Sequence, residues 1–486
     1  MKVVHICTQI EQGGAARATL NLHLGLRGLG IESTVLSLSE FNTLPYCENY
    51  PCLESRKDLL KEVSRILAWK NRTKRSNTHF SIDLFGCNIS THPLVYEADV
   101  LNLHWTSEFL SSVSITELAA LHKPLLWTLH DMRPLTGGCH FSAGCNRFEE
   151  ACGQCPQLSE EPLDFTARSL SAMSSAVAVT KPVFIAPSQW MLQNIQKSRV
   201  SRESASCCIP YGVDSNIFKP LLKEDCRSGL NLDKDAWYIL FATHGFQELR
   251  KGVAHALAIL DVIARNTVTA KEVATGKMRI LCCGADANHF TPVGWQVERL
   301  GYVSADKMPL FYNSADVLLF TSLEDNLPNV ILEAMACGTP VVAPRIGGVP
   351  DLLSGEVLSC CLFNEGNAEG AGAMMIALFQ NNSLHKELSS QSIEKIRQDY
   401  SIEKQASAYL KLYTELIIQS QPEATLLPML SCREGSGEAL FFALDKIKAN
   451  RKNPKSWNHK FWTLLNKESK CIVILLIIIY LRNILI

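Results

Sequence analysis

The segment most suited to hold a ligand reads Asp325-Asn326-Leu327-Pro328-Asn329 and leads into an apolar helical pattern containing Glu333. It follows Val317–Phe320, an apolar run typical of a buried strand. A helix start tolerates proline, and its free N–H groups can bind phosphate or sugar oxygens. Carboxylates accept hydrogen bonds from diols, so Asp325 and Glu333 could bracket a ligand that bears several hydroxyls. The alternative is an ordinary capped helix, with Asp325 as its cap and Glu333 in solvent.

Two further turns between a strand and a helix carry candidate ligand contacts. Arg250-Lys251-Gly252 follows the apolar run Tyr238–Ala242, and its two cations could neutralise a diphosphate. The alternative is an exposed basic turn. Gly13-Gly14 follows Val3–Cys7 and opens a helix. Paired glycines let a ligand approach the backbone closely, or simply make a tight turn.

A histidine ends another apolar run, in Trp127-Thr128-Leu129-His130-Asp131. If this run is a strand, His130 lies at a carboxyl edge and faces a cleft. A side chain that titrates near neutrality suits a contact to a sugar hydroxyl or a proton transfer. The alternative is a structural histidine at a strand end.

Four cysteines stand close together at Cys139, Cys145, Cys152 and Cys155. Four thiolates could hold zinc tetrahedrally, and such a zinc would be structural because its coordination shell is closed. Reduced thiols or a disulfide are the alternatives. Most of the other cysteines sit singly in apolar runs, as buried free cysteine does, and we expect a reducing compartment.

The elements that would position these residues alternate between short apolar runs and helical periodicities, which predicts an α/β fold with parallel sheets covered on both faces. The pattern restarts after Ile209–Asp214, a linker-like stretch with proline and glycine. We therefore predict two doubly wound domains facing a cleft, residues 1–208 and 209–420, and a tail, residues 421–486. The expected strands are Val3–Cys7, Thr34–Leu38, Val100–Leu103, Leu125–Leu129, Val183–Ala186, Tyr238–Ala242, Arg279–Cys283, Val317–Phe320 and Pro340–Ala343.

Charge and composition argue against nucleic-acid binding and indicate a membrane contact for the tail. A net charge of -1 over 486 residues gives no pull toward nucleic acid, so none is expected as a partner. The amino terminus does not resemble a secretory signal, and the body is predicted to be cytoplasmic. The tail is basic, contains tryptophans and ends in Cys471–Leu481, an apolar run too short to span a bilayer. We predict contact with an anionic membrane face, or else packing of the tail on the body.

Together these segments resemble the retaining GT-B glycosyltransferases of family four, over roughly residues 1 to 420. The most specific part is Ser322–Leu353, which reads SLEDNLPNVILEAMACGTPVVAPRIGGVPDLL. The family carries Glu-x7-Glu followed by Ala-Met-Ala-Cys-Gly-Thr-Pro-Val-Val. Here the second acid is Glu333 and the first is Asp325, whereas Glu324 is one position off the spacing. The cysteine-containing segment resembles a subgroup found in surface-polysaccharide and cell-wall assembly.

The resemblance implies a fold and a set of roles. The fold is two Rossmann-like domains facing a cleft. Asp325 would contact the donor sugar, Glu333 the ribose, and Lys251 with Arg250 the departing diphosphate. His130 matches the family's active-site histidine. The remaining donor-binding positions are Gly13 and Gly14, in the glycine-rich loop on the acceptor side, and Asn326, Leu327, Pro328 and Asn329.

The function implied is transfer of a hexose from a nucleoside-diphosphate sugar to a glycan or lipid-linked acceptor, with retention of anomeric configuration. Catalysis needs no divalent metal or other cofactor, and the cysteines are candidates for a structural zinc. Because Asp325 replaces Glu and the family's usual Arg is not evident, one rival is a catalytically silent regulator that binds nucleotide sugars. A zinc scaffold that binds a partner is another.

Overall fold

The computed structural model describes residues 1–41, 44–52, 68, 71–75, 78–83, 86–161, 164–243 and 245–420. The predicted tail, residues 421–486, lies outside the described residues. Its contact with a membrane therefore stays a prediction. Within the described ranges, no helix combines the length and the apolar character needed to cross a bilayer.

The first sheet has seven strands in the order β3-β2-β1-β4-β5-β6-β7, and every pairing is parallel. Its strands are β1 (Lys2–Cys7), β2 (Glu32–Ser37), β3 (Cys47–Asn49), β4 (Val100–Leu103), β5 (Leu125–Thr128), β6 (Val183–Ala186) and β7 (Ser206–Cys208). The described helices between them are α1 (Gly14–Gly28), α2 (Pro93–Glu97), α3 (Ser112–Leu118), α4 (Phe165–Thr180) and α5 (Gln189–Lys197).

Alternate residues of the central strands enter two different cores. In β5, Leu126 packs with Val100 and Ile185 in one core. Its neighbour Trp127 packs with Phe184 in the other. Successive side chains of a strand point to opposite faces, so both faces of this sheet are covered. The predicted doubly wound arrangement is confirmed for the first half of the chain.

The second sheet has six strands in the order β10-β9-β8-β11-β12-β13, again all parallel. The strands are β8 (Trp237–Ala242), β9 (Met278–Cys283), β10 (Val297–Arg299), β11 (Val317–Leu319), β12 (Val341–Pro344) and β13 (Leu362–Phe363). The helices are α6 (Lys223–Gly229), α7 (Val253–Arg265), α8 (Ala270–Ala274), α9 (Met308–Ser314), α10 (Asn329–Ala336), α11 (Val349–Leu352), α12 (Ala368–Gln380) and α13 (Asn382–Asp399).

The last described helix, α14 (Ile402–Ser420), packs on the first sheet rather than the second. Tyr409 and Tyr413 lie in the same core as Leu22 of α1. The contact is close, because a Cβ added at Gly25 would lie 2.6 Å from a methyl group of Ile402. The predicted division of the chain into two domains at residue 209 stays a prediction. Helix α14 belongs to the second half of the sequence but packs on the sheet of the first half.

The carboxyl ends of both sheets open into one cleft. Residues that follow β1, β5, β8, β9 and β11 line it together. In open parallel sheets, ligands bind outside the carboxyl ends of the strands. The fold therefore brings the chemical groups of both halves to a single place.

Candidate active site

The cleft between the two sheets has a volume of about 370 Å³, which is enough for a small-molecule ligand. All the residues predicted to be catalytic or donor-binding line it. They are Gly13, Gly14, His130, Arg250, Lys251, Asp325, Asn326, Leu327, Pro328, Asn329 and Glu333. The structure thus brings together residues separated by up to 320 positions in the chain.

Asp325 lies between the two predicted diphosphate cations. Its Oδ2 accepts hydrogen bonds from Arg250 Nη1 at 3.0 Å and from Lys251 Nζ at 3.1 Å. Burial alone would raise the pKa of Asp325, but Lys251 and Arg250 overcome that effect and hold the pKa below its ordinary value. An anionic ligand can therefore bind beside a carboxylate that shares its cations.

Arg250 is held in place from three further directions. Its Nε donates to Glu248 Oε1 at 2.8 Å, and its Nη1 also donates to the carbonyl oxygen of Glu324 at 2.8 Å. Its guanidinium carbon lies 4.1 Å from the ring centroid of Phe141, which comes from the other half of the chain. Such a fixed cation needs little reorganisation to meet a negative charge.

Glu333 lies just over one turn inside α10 and is only 2 % exposed. Its Oε2 accepts a hydrogen bond from the Tyr312 hydroxyl at 2.8 Å. Its Oε1 is paired with the guanidinium of Arg17, from the first turn of α1. Burial raises the pKa of Glu333, while Arg17 and Tyr312 work against that rise. The buried carboxylate is therefore partnered on both oxygens at the cleft wall.

The amides of the predicted donor segment join the two halves of the molecule. The Asn326 side chain accepts from Ser188 Oγ at 2.8 Å and donates to the carbonyl oxygen of Leu129 at 3.0 Å. Asn329 Nδ2 donates to the carbonyl oxygen of Gly14 at 3.0 Å. The segment therefore contacts the first half of the chain directly. The predicted contacts of its main-chain N–H groups with a donor remain predictions.

The glycine pair forms the opposite wall. Gly13 has a backbone φ of 92°, in the left-handed region that residues other than glycine rarely adopt. A Cβ at Gly14 would lie 3.4 Å from Asn329 Nδ2, so the two walls are in close contact there. The glycines thus allow the turn after β1 to approach the donor segment.

His130 is half-buried and hydrogen-bonded at both ring nitrogens. Its Nδ1 lies 2.7 Å from the Tyr211 hydroxyl, and its Nε2 lies 3.0 Å from His104 Nδ1. Burial lowers the pKa of His130 to about 4, so the ring is neutral at neutral pH. A neutral imidazole can give or take a hydrogen bond in the cleft, and it carries no charge there.

The four cysteines line one small pocket beside the cleft. Burial raises the pKa of Cys152 to about 11, and it raises the pKa of Cys139 further, so both thiols are protonated as placed. Among the described residues, no group of three or more His, Cys, Asp or Glu side chains is placed to hold a metal ion. The structural zinc remains a prediction that metal analysis would test.

Glu324 points to the cysteine-bearing loop and not to the cations. Its carboxylate accepts from the Ser142 N–H at 3.2 Å, from Ser142 Oγ at 3.2 Å and from the Ala143 N–H at 2.9 Å. We call these contacts the loop latch. They explain why Asp325, and not its acidic neighbour, faces Arg250 and Lys251. The latch also joins the two halves of the chain.

Comparison with known proteins finds glycosyltransferases that are similar to this chain. The profile of the glycosyl transferases group 1 family matches residues 239–381, which carry the cations, Asp325 and Glu333. A glycosyl transferase named for colanic acid biosynthesis, WcaC of Escherichia coli (strain K12), is 25% identical over 383 residues, covering 73% of this chain and 85% of that protein. The chain is a glycosyltransferase, and its residues 239–381 match the group 1 family.

Other relatives of this glycosyltransferase match a shorter region. The D-inositol 3-phosphate glycosyltransferase of Pseudarthrobacter chlorophenolicus is 31% identical over 148 residues, 29% of this chain and 34% of that protein. Solved structures share the fold over nearly their whole length. Sucrose-phosphate synthase from Thermosynechococcus elongatus has a TM-score of 0.59 at 16% identity, covering 86% of this chain and 99% of that one.

The HepE protein of Anabaena, solved in complex with UDP and glucose, has a TM-score of 0.57 at 16% identity. The match covers 85% of this chain and 99% of that one. These likenesses establish the GT-B fold for this glycosyltransferase, as the resemblance implied.

Several residues of the site were not expected from the sequence. They are Arg17, His104, Tyr211, Tyr312 and the loop-facing carboxylate of Glu324. Arg17 had a signal, since a cation in the first turn after paired glycines is placed to enter a cleft. His104 comes directly after β4, much as His130 comes after β5. Because ligands bind outside the carboxyl ends of parallel strands, the same argument could have predicted both histidines. Tyr312 carries no pattern of its own, because it reaches Glu333 from a neighbouring helix.

Proposed function

We propose that this glycosyltransferase moves a hexose from a nucleoside-diphosphate sugar to a glycan or lipid-linked acceptor, with retention of anomeric configuration, in surface-polysaccharide biosynthesis. The observation that carries the proposal is the cluster of Arg250, Lys251 and Asp325 on the same cleft wall as buried Glu333. Two cations suit a diphosphate, and two carboxylates suit the hydroxyls of two sugars. The comparisons with WcaC and HepE support this reading.

The donor binds along the second half of the chain. Glu333 accepts hydrogen bonds from the ribose hydroxyls, in place of or beside those of Arg17 and Tyr312. The diphosphate lies at Lys251 and Arg250. Asp325, released from part of its pairing with these cations, accepts a hydrogen bond from the donor hexose. HepE has been solved with UDP-glucose, which supports a nucleotide sugar as the ligand class here.

In the transfer step the bond between the anomeric carbon and the diphosphate oxygen breaks, and the acceptor oxygen bonds to the same face of the sugar. The electron pair of the broken bond leaves with the diphosphate, whose added charge meets Lys251 and Arg250. The acceptor proton leaves toward the departing phosphate oxygen. Removing one such electrostatic contact from an enzyme typically costs about 3–4 kcal/mol of transition-state stabilisation.

His130 serves as a neutral hydrogen-bonding group in this scheme. A general base works best when its pKa lies near the operating pH, and the pKa of His130 is lowered to about 4 by burial. Its contacts with Tyr211 and His104 hold the ring at the cleft edge. A polar contact in the cleft therefore suits His130 better than proton abstraction.

A glycan or lipid-linked acceptor is supported by one relative and by the sequence of the tail. WcaC is named for colanic acid biosynthesis, a polysaccharide pathway. The basic, tryptophan-bearing tail of this chain suits an anionic membrane surface at the inner face of the cell membrane, where a lipid-linked acceptor would be met.

A transfer assay tests the proposal. The full-length protein is incubated with α-linked donors such as UDP-glucose and GDP-mannose together with lipid-linked oligosaccharide acceptors, and the product anomer is read by proton NMR. We expect release of the nucleoside diphosphate and an α-linked product. A β-linked product would overturn retention. Tight donor binding with neither transfer nor slow hydrolysis would instead identify the silent regulator.

A further inference from the structure

A row of three histidines, buried His5 and His104 and half-buried His130, leads to the cleft and ends on a tyrosine that lines it. His5 Nδ1 is 2.9 Å from His104 Nε2, and His104 Nδ1 is 3.0 Å from His130 Nε2. His130 Nδ1 is 2.7 Å from the Tyr211 hydroxyl. The three rings come from β1 and from the carboxyl ends of β4 and β5, which are neighbours in the sheet. We call this series the histidine chain.

All three rings are neutral. Burial lowers the pKa of His5 and of His104 well below the ordinary histidine value, and it lowers the pKa of His130 to about 4. A neutral imidazole has one N–H and one bare nitrogen. A ring that donates at one nitrogen therefore accepts at the other, and the direction at one ring determines the direction of the whole histidine chain.

The two possible directions differ at the ends. If the protons are on Nδ1, each ring donates toward the cleft and His130 donates to the Tyr211 oxygen. If they are on Nε2, the Tyr211 hydroxyl donates inward and the last N–H, at His5 Nε2, is buried. That nitrogen has no hydrogen-bond partner. A buried unpaired N–H is rarer in proteins than a buried unpaired acceptor, so the first direction is favoured.

In this direction the hydroxyl hydrogen of Tyr211 is not used by the protein. The nearby carboxylates have other donors. Asp131 accepts from Trp105, His140 and the Arg133 N–H, while Asp325 accepts from the cations. Neither of them is a hydrogen-bond partner of Tyr211. Tyr211 lines the cleft, so its O–H is available to a ligand there.

We propose that Tyr211 donates a hydrogen bond to a hydroxyl oxygen of the donor hexose or of the acceptor, and that His104 and His5 are positioning residues that orient it. This role rests on the proposed function of the cleft. It adds a substrate contact in the linker that the sequence pattern did not predict, supplied through a hydrogen-bond chain that begins deep in the first domain.

The direction of the histidine chain can be read without any substrate. Protein labelled with ¹⁵N-histidine gives two-bond proton–nitrogen correlations that distinguish Nδ1–H from Nε2–H rings, with signals assigned by single His→Gln variants. We expect Nδ1–H at His130, at His104 and at His5. The Nε2–H form at His130 would overturn the proposal, because Tyr211 would then donate inward.

The substrate contact is tested with Tyr211→Phe, which removes only the hydroxyl. The matched control is Tyr413→Phe, at a fully buried tyrosine whose hydroxyl accepts from Asn102 in the first half of the chain, away from the cleft. Calorimetry compares UDP-glucose with UDP for each protein. A loss of tenfold or more for UDP-glucose, with less than twofold for UDP, assigns the contact to the donor hexose. Unchanged donor binding with a tenfold higher acceptor KM assigns it to the acceptor. Wild-type values for both would overturn the proposal.

The positioning role is tested by combining Tyr211→Phe with His104→Phe, which keeps a ring of similar size. If the histidine chain orients Tyr211, the loss caused by Tyr211→Phe is at least threefold smaller when His104 is already replaced. A merely structural His104 would lower stability and leave that ratio unchanged, which would overturn its role. If the unmodified protein bound neither UDP nor UDP-glucose, the donor half of the proposed function would fail, while the tautomers would still decide the direction of the chain.

Discussion

At the scale of single residues, the cleft is a set of paired charges. Lys251 and Arg250 pair with Asp325, and Arg17 pairs with Glu333. A nucleotide sugar bound here would take a share of each pairing, with the diphosphate at the cations and hydroxyls at the acids. Binding is then an exchange of partners, which favours ligands that carry both an anion and neighbouring hydroxyls.

The exchange predicts a split effect for Asp325→Asn. Losing a hydrogen bond to a charged group costs about 1.5–3 kcal/mol, so the transfer rate should fall by roughly tenfold to a hundredfold. The affinity for UDP should stay the same or increase, because the Asp325 carboxylate no longer competes with the diphosphate for Arg250 and Lys251. Steady-state kinetics and calorimetry measure the two effects. Asp325→Glu, which keeps the charge, is the control, and equal losses of UDP and UDP-glucose affinity in Asp325→Asn would contradict the exchange.

The sequence predicted which residues would meet in the cleft but not how they would pair. Asp325 and Glu333 follow a recognisable spacing, and Gly13, His130 and Arg250 each come after a predicted strand. The pairing of Arg17 with Glu333 joins positions 316 apart, and no local pattern records such a contact. The roles of these residues in donor binding and catalysis stay predictions.

At the scale of elements, the cysteine-bearing loop and the start of α10 hold the two halves together. The loop latch places Ser142 and Ala143 against Glu324, and Phe141 lies against Arg250. The cysteine loop therefore contacts the donor segment directly. Whatever state its thiols adopt, the loop contributes to the shape of the cleft.

We predict that Glu324→Ala weakens this association. The variant loses three hydrogen bonds to a carboxylate across the cleft, so small-angle scattering should show a larger radius of gyration, and UDP affinity should fall several-fold. Glu356→Ala, at an exposed glutamate of the same half, is the control. Equal radii and affinities for Glu324→Ala and the unmodified protein would mean that the loop latch does not hold the halves together.

The packing of α14 on the first sheet leads to a prediction about stability. Tyr409 is fully buried between α14 and the first sheet, and its hydroxyl lies 2.9 Å from Thr128 Oγ1. Tyr409→Ala should lower the free energy of unfolding by about 3–5 kcal/mol, the usual cost of removing a large aromatic side chain from a core. Ile418 lies on the same helix and is 65% exposed, so Ile418→Ala should change stability little. Similar urea midpoints for the two variants would contradict the packing.

The main strands were predictable and the edge strands were not. Val100–Leu103 and Val183–Ala186 have the predicted bounds, because polar Asp99 and His104 flank the first run and Pro182 and Pro187 flank the second. The edge strands β3, β7, β10 and β13 have two or three residues each and were missed, since so short a run carries no period. The return of α14 to the first sheet is a tertiary contact that helical periodicity does not specify.

At the scale of the whole molecule, buried histidines link stability to pH. Burial lowers the pKa of His5, His104 and His130 in the first half, and of His385 in the second. These groups have lower pKa values folded than unfolded, so the unfolded chain binds more protons below about pH 6.5. Their contribution to stability is present above that pH and is lost as the pH falls toward the folded values.

The melting temperature should therefore fall between pH 7 and pH 5. Each fully buried neutral histidine contributes a slope that approaches about 1.4 kcal/mol per pH unit as the pH falls below 6. The raised pKa values of Glu324, Glu333 and Asp351 act in the opposite sense, but these three carboxylates are outnumbered by the histidines. Calorimetric scans at several pH values measure the slope, and His5→Gln should make it shallower. A melting temperature that stays constant or rises toward pH 5 would contradict the neutral histidine chain.

In the proposed function, the cleft binds a nucleotide sugar through its paired charges. The most direct measurement is a calorimetric titration of UDP-glucose, GDP-mannose and UDP into the full-length protein, with Lys251→Ala and the exposed-lysine control Lys277→Ala. We predict that a nucleotide sugar binds at one site per chain and that Lys251→Ala weakens it tenfold or more, while Lys277→Ala leaves it unchanged. Absence of binding, or equal affinity for Lys251→Ala and the unmodified protein, would contradict the account.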